Sequence, residues 1–554
     1  MAIRKPGSIN EDTASITETV RPPLVKTRTE QSVSPSITST IVPDPGVPIH
    51  DIEHMPVKND PRAWSRLKKN FTLILISTAS MVAALAANIQ NPAVEAMEED
   101  LPATASQFSL SISLFILIQG LFPLVWSAIS EVKGRKLVYI LSIALFTLGS
   151  IIVALSTHIG PVIGFRCLQA AGSSAVMAIG AASLADIFEP AERGSKMGIY
   201  YIAPLLGPAV GPVFGGILTS IWGWRAIFWF LAIIAGATLI SFITFFQDTF
   251  RCERSLIYQK VLKAHIRANS LLPPAETLKK DTSDPVRITG KDRVDSIKSD
   301  VDIEKVAEKI TAVEVLREPL FQVVRRPNNL LILLSSGLLY AYGFVVVYAT
   351  SRTLSANYGL DPLKIGLVTI AYGAGSVGGS IIGGRWSDRQ LAKLKAANGG
   401  KGYAEMRLAS TFIGMVFLPP SVAAFGWVTQ NHLPIPVICV CLFLGGFFCI
   451  WIYSSSLAYV VDANIGRSST AVAGNSAFRG IFAFMATEVA VPLQDNLGDG
   501  WMFVLWSAVV SLGCACILLV RFKGEKWRVD AELREAEHAR RADTATFSTM
   551  TSKA

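Results

Sequence analysis

Two arginines lie well inside long apolar runs: Arg166, in the stretch 161–184, and Arg479, in the stretch 468–490. A guanidinium is costly to hold in hydrocarbon and is by default functional there, because its fixed donors need acceptors or a charged ligand. Gln169 follows Arg166 by three residues, and Asn475 and Arg479, four apart, share one helix face. Gln119, Tyr201, Tyr340 and Trp451 occupy comparable mid-run positions. An apolar cavity with a few such polar handles suits a small organic ligand. Each arginine also has a plainer reading. Arg166 is only a few residues from Pro161 and could snorkel to the nearer interface, whereas Arg479 could be neutralised by backbone carbonyls or by Glu488. Proton transfer has no obvious carrier, since the first apolar run, 71–90, holds no acidic residue. Glu131, Asp186 and Glu488, each near the end of a run, are the candidates, unless the substrate carries its own proton.

Hydrolytic and metal chemistry find little support. The six histidines (His50, His54, His158, His265, His432 and His538) fall in tails or loops. Six of the seven cysteines sit in apolar runs, where cysteine behaves as a small hydrophobe, and none has metal-site spacing with a histidine. No cofactor and no metal are expected, and the chain does not read as an enzyme.

The elements that must position these residues follow from composition. Of 554 residues, 51% are hydrophobic and only 17% are charged, against roughly 25% charged in soluble domains. The apolar residues gather in a dozen runs of roughly 20, the length that crosses a bilayer core of about 30 Å. Spans are expected near 70–90, 107–128, 137–156, 161–184, 196–218 and 226–246, then 329–350, 364–384, 408–427, 435–457, 468–490 and 501–521. Loops after spans 2, 4, 8 and 10 carry Lys and Arg, whereas 91–108 has four acids and no base. The positive-inside rule then puts both termini in the cytoplasm. The expected organisation is a disordered tail over 1–68, a six-helix bundle over 69–247, a cytoplasmic loop over 248–325, a second bundle over 326–522 and a cytoplasmic tail over 523–554. Within the loop a surface helix is expected near 301–316 or 318–326. The net charge of +9 is on this view a topology signal, with no nucleic-acid partner implied.

Three motifs sharpen the reading. In span 5, Gly207, Gly211 and Gly215 recur every four residues with Pro208 and Pro212 between them and Gly216 after. That pattern gives one smooth face for close helix packing, and prolines that favour a kink. Between spans 2 and 3 runs Ser127-Ala128-Ile129-Ser130-Glu131-Val132-Lys133-Gly134-Arg135-Lys136, echoed after span 8 by Gly384-Arg385-Trp386-Ser387-Asp388-Arg389. Span 4 holds Arg166-Cys167-Leu168-Gln169-Ala170-Ala171-Gly172. On these residues the chain resembles the major facilitator superfamily, whose first-loop, fourth-span and fifth-span signatures they match with substitutions: Ser127, Glu131 and Val132 in the first and Ala170 in the second. Gln119-Gly120-Leu121-Phe122-Pro123, Tyr201-Ile202-Ala203-Pro204 and Gly223-Trp224-Arg225 further resemble the fungal twelve-span drug:proton antiporters, in the quinidine-resistance-type branch.

The resemblance implies an all-α fold of twelve transmembrane helices in two six-helix bundles, working by alternating access. It implies a proton-coupled antiporter that exports small organic molecules, with protons and the lipid bilayer as its other partners, as a monomer in the plasma membrane. Arg166 and Gln169 would serve coupling; Glu131, Gly134, Arg135 and Asp388 a cytoplasmic latch; Gly207, Gly211, Pro212, Gly215 and Gly216 the bending helix; Gln119, Tyr201, Tyr340, Trp451, Asn475 and Arg479 the substrate cavity. Three alternatives stay open: an exporter of organic acids, a nutrient uptake symporter of the same fold, and a non-transporting receptor or scaffold.

Overall fold

The computed structural model describes residues 60–250, 320–400, 402–464 and 468–551. Residues 1–59 of the expected tail over 1–68, most of the central loop and the expected surface helix near 301–316 lie outside the described residues, and helix α1 begins at Arg66, inside the expected tail. Everything regular among the described residues is helical.

Six long helices form the first half. These are α1 (Arg66–Asn88), α3 (Ala105–Lys133), α4 (Arg135–Leu155), α5 (Ile159–Ile187), α6 (Pro190–Trp222) and α7 (Arg225–Phe245), with a short α2 (Val94–Asp100) between the first two. The second half has α8 (Pro327–Tyr358), α9 (Pro362–Ala397), α10 (Phe412–Gln430), α11 (Ile435–Ala463) and α12 (Ser468–Thr551). Gly498, at φ 71° and ψ 171°, interrupts α12. The chain reverses there: Phe482 before the break and Gly513 after it both lie against residues 335–338 of α8. We call the two arms α12a and α12b. Ten described segments are long and apolar enough to cross a membrane, and one of them holds both arms of α12. With α6, whose apolar part is Val210–Trp222, the crossing elements number twelve.

Local chemistry sets the breaks. Thr104 and Gln107 close a capping box at the start of α3, satisfying donors that the first turn leaves open. Gly134, with φ 89°, is at once the end of α3 and the start of α4, and so permits two helices with no intervening loop. Proline opens α6, α8 and α9, where its missing N–H costs nothing.

The halves repeat one pairing scheme. In the first, α1 packs on α6, α3 on α5, and α4 on both α5 and α7; in the second, α8 packs on α12, α9 on α11, and α10 on both α11 and α12. Two seams join the halves, α3 against α12a and α6 against α9. One end of the bundle, here the tail end, holds Arg135, Arg326, Asp388, Arg407 and the far part of α12b; the other, the α2 end, holds Trp224, Arg352, Tyr358 and Gly498.

Candidate functional site

Helix packing at the fifth-span motif is close enough to involve backbone. A Cβ on Gly207 would lie 2.7 Å from the Ala84 Cβ and the Leu85 nitrogen of α1, and one on Gly215 would lie 1.8 Å from the Ile89 carbonyl oxygen. Gly216 turns to the other half, where a Cβ would come within 2.5 Å of the Pro362 carbonyl. Gly366 on α9 returns the contact against the Pro212 carbonyl. A single helix is thereby fitted to α1 within its half and to α9 across the seam. A second stripe that sequence reasoning missed, Gly375, Gly379 and Gly383 on α9, receives Phe443, Phe447 and Trp451 of α11 in the same way. Its spacing of four was the available signal.

Arg479 stands beside the other seam. Its neighbour Gly480 meets Gly120 of α3 so closely that a Cβ on Gly120 would lie 2.5 Å from the Gly480 Cα. The guanidinium lies 3.8 Å from the ring centre of Tyr340 and 4.9 Å from that of Tyr453, and its Nη1 donates to the Tyr453 hydroxyl at 2.8 Å. Arg479 Nε and Asn475 Oδ1 are buried and have no hydrogen-bond partner. Both would be satisfied by a ligand with an anionic oxygen and a donor, since guanidinium offers only donors and an amide oxygen only accepts. No carboxylate pairs with Arg479 among the described residues; Glu488, the neutralising partner considered from sequence, bonds elsewhere.

The other expected cavity residues are distributed differently. Gln119 donates to Ser173 Oγ at 3.1 Å and to the Ala83 carbonyl at 3.4 Å, tying α3 to α5 and α1. Trp451, two residues from Tyr453 and so about 200° round the helix, donates to the Ser410 carbonyl at 3.0 Å and packs on Gly383. For Tyr201 the described residues include the backbone only. A small apolar cavity between α1, α4, α5 and α7, lined by Ala79, Phe146, Val176 and Thr238 among others, lies inside the first half and away from Arg479.

Arg166 is fully buried, which rules out snorkelling. It donates to Gln169 Oε1 at 3.2 Å, and Gln169 passes the chain on to Ser150 Oγ of α4 at 2.7 Å. Its guanidinium carbon lies 4.3 Å from the Phe115 ring centre and 5.8 Å from that of Phe228. Nε and Nη2 have no partner. These neighbours all belong to the first half, and one of them, Phe115, lies on α3, the helix that meets α12a.

At the tail end the expected latch residues form two clusters, one per half. Arg135 sits 3.5 Å from Asp186, bonds Ser130, and its backbone N–H donates to Asp248 at 3.1 Å. Asp248 also occupies the space that a Cβ on Gly134 would need. The Glu131 side chain lies outside the described residues. Asp388 instead accepts from Arg407 at 3.1 Å, and Arg407 also bonds Asp462. Asp248, Arg407 and Asp462 escaped sequence reasoning because each partner is distant in the chain.

Beyond residue 522 the helix continues as α12b and folds its charges onto the second half. Arg528 makes two bonds to the buried Glu405, at 3.0 and 3.2 Å. Arg326, at the start of α8, makes two to Glu535 at 2.9 Å each. Removing one partner of a buried pair leaves an uncompensated charge, at a cost of about 3–5 kcal/mol. Arg528→Met is therefore expected to lower the melting temperature of the detergent-solubilised protein, and adding Glu405→Gln to recover most of the loss. Equal melting of the single variant and the parent would show that the pair bears no load.

A sequence profile described as Major Facilitator Superfamily matches residues 76–487. The chain is 26% identical to the MFS antiporter QDR3 of Candida albicans, covering 91% of this chain and 86% of that protein. It is 27% identical to Citrate exporter 1 of Aspergillus niger (85% and 89%) and 25% identical to Quinidine resistance protein 3 of Saccharomyces cerevisiae (87% and 86%). Among solved structures it superposes on the xylose transporter XylE of E. coli with a TM-score of 0.56 at 11% identity, covering 82% of this chain and 97% of that one.

Proposed function

Because this chain belongs to the major facilitator superfamily, we propose that it is a proton-coupled antiporter exporting a small organic molecule, and that the molecule carries a carboxylate. The observation that carries the substrate class is Arg479, with its unpartnered Nε beside a seam between the halves. The aromatic faces that would hold a cationic drug already hold this guanidinium. A relative named for citrate export fits that chemistry, and relatives named for drug resistance fit the same transport cycle with other cargo.

Export by antiport is supported by the fifth-span motif, whose glycines fit α6 against α1 and α9 together. In this reading the tail end faces the cytoplasm of a plasma-membrane protein acting as a monomer. The Arg135 and Arg407 clusters brace the helix ends of each half while the halves rock about the two seams. Arg166 and Gln169 link α5 to α4 and α3, so that the first half moves as one body.

The test uses the purified protein in liposomes loaded with a radiolabelled dicarboxylate or a cationic dye. Dicarboxylate efflux is expected to rise when the opposite face is acidified, with the dye retained. Dye efflux with no dicarboxylate efflux would reverse the substrate class, and efflux of both indifferent to pH would remove the proton coupling.

A further inference from the structure

The α3–α12a seam is closed at its α2 end by two buried serines. Ser113 Oγ bonds the Glu488 carboxyl, and one turn earlier Ser109 Oγ donates to the Thr487 carbonyl at 3.1 Å. Deeper along the same seam Gly120 meets Gly480. Glu488 lies ten residues from the reversal at Gly498, about 15 Å of helix. Asp186 and Asp462 lie one residue from the tail ends of α5 and α11 and are engaged by arginines. Glu488, by contrast, lies in the seam itself and is bonded to a serine of the other half instead of an arginine.

Ser113 Oγ has two partners within hydrogen-bonding range, Glu488 and the Leu110 carbonyl at 3.2 Å. A hydroxyl has one proton and two lone pairs, and a carbonyl only accepts. If Glu488 is ionised, Ser113 must give its proton to one acceptor and leave the other. If Glu488 is protonated, it donates to Ser113 and Ser113 donates to Leu110, so both bonds form. The closed seam therefore holds one more hydrogen bond with a proton on Glu488. Of the groups around it, α3 offers only the neutral Ser109 and Ser113. The surroundings of the Tyr348 hydroxyl of α8 bring together Glu488, Glu98 of α2, Asp495 of α12a and Arg352 of α8. Arg352 is itself bound to Asp495 at 2.7 Å and to Gln494 at 3.3 Å.

We propose that Glu488 is the proton-carrying carboxylate of the transport cycle, loaded from the α2 side when the seam opens there and sealing the seam against Ser113 once protonated. The proposal rests on the proton coupling proposed above. The proton enters from the medium at the α2 end and leaves toward the tail end. On its departure the carboxylate takes the Ser113 hydrogen, Leu110 loses its partner, and the seam is free to reopen with substrate aboard.

The experiment compares the full-length protein with Glu488→Gln and Ser113→Ala in liposomes, measuring pH-gradient-driven dicarboxylate accumulation and, separately, dicarboxylate exchange at equal pH. Glu488→Gln is expected to lose gradient-driven accumulation at least tenfold while exchange persists. Ser113→Ala is expected to lower gradient-driven accumulation while exchange persists, because Glu488 then has no partner across the seam in either protonation state. Accumulation by Glu488→Gln that still follows the gradient overturns the proposal, as does parallel loss of exchange, which would make Glu488 a strut of the seam. A parent protein that ignores the gradient while exchanging dicarboxylate instead refutes the coupling reading itself, and the proposal falls with it.

Discussion

Gly215→Ala is expected to abolish export while the protein still reaches the membrane. The added carbon would lie 1.8 Å from the Ile89 carbonyl oxygen, which is helix backbone and cannot swing aside. Overpacking a well-filled contact costs roughly 1–3 kcal/mol and sometimes more, and here relief requires α6 to move off α1. Because the next residue, Gly216, is fitted to Pro362 of the other half, such a movement also disturbs a seam about which the halves are proposed to rock. The neighbouring motif glycine supplies the control. At Gly211 the nearest atom to an added Cβ is 3.3 Å away, so Gly211→Ala is expected to keep most of its transport. Initial export rates normalised to the amount of protein at the cell surface decide the matter. Equal damage at the two positions would mean that the motif acts by something other than close packing.

Replacing Arg479 with lysine is expected to lower export of a carboxylate at low substrate concentration by at least tenfold, equivalent to about 1.4 kcal/mol, with most of the change in KM. Lysine keeps the charge but loses the planar group that lies over Tyr340 and Tyr453 and the fork that reaches the Tyr453 hydroxyl. Tyr453→Phe keeps the ring and removes the hydroxyl that accepts from Nη1 and from the Asn475 amide, so a smaller loss is expected. Concentration series for the two variants separate these effects. A lysine variant with unchanged KM would place the substrate elsewhere. Arg166 calls for a different expectation, because its partners Gln169, Ser150, Phe115 and Phe228 all lie in one half.

Much of the architecture was legible in the residues themselves. Apolar runs located the spans, and the glycine-proline pattern of 207–216 marked a helix of unusually close approach. Sequence periodicity states which residues share a face but not which helix that face will meet. Trp451 and Tyr453 are both aromatic residues in one run, yet one packs inside its half and the other reaches Arg479. The Asp388 echo of the first-loop motif was visible, but its arginine partner is Arg407, 19 residues on. Residues past 522 read as a tail because their charges outnumber their apolar residues. They dock on the second half because those charges find Glu405 and Arg326, pairings that no local pattern encodes.

One of those pairings also sets an order of events during synthesis. Glu405 and Arg528 are 123 residues apart in the chain. At a synthesis rate of about 5–20 residues per second, the carboxylate waits roughly 6–25 s for its partner to be made. Throughout that interval the second half carries a buried site built around a missing cation. A ribosome that stops early leaves it so permanently, and a tag joined at residue 523 in place of the helix would do the same. The pairing thus ties the packing of the second half to a residue made long after the carboxylate it neutralises.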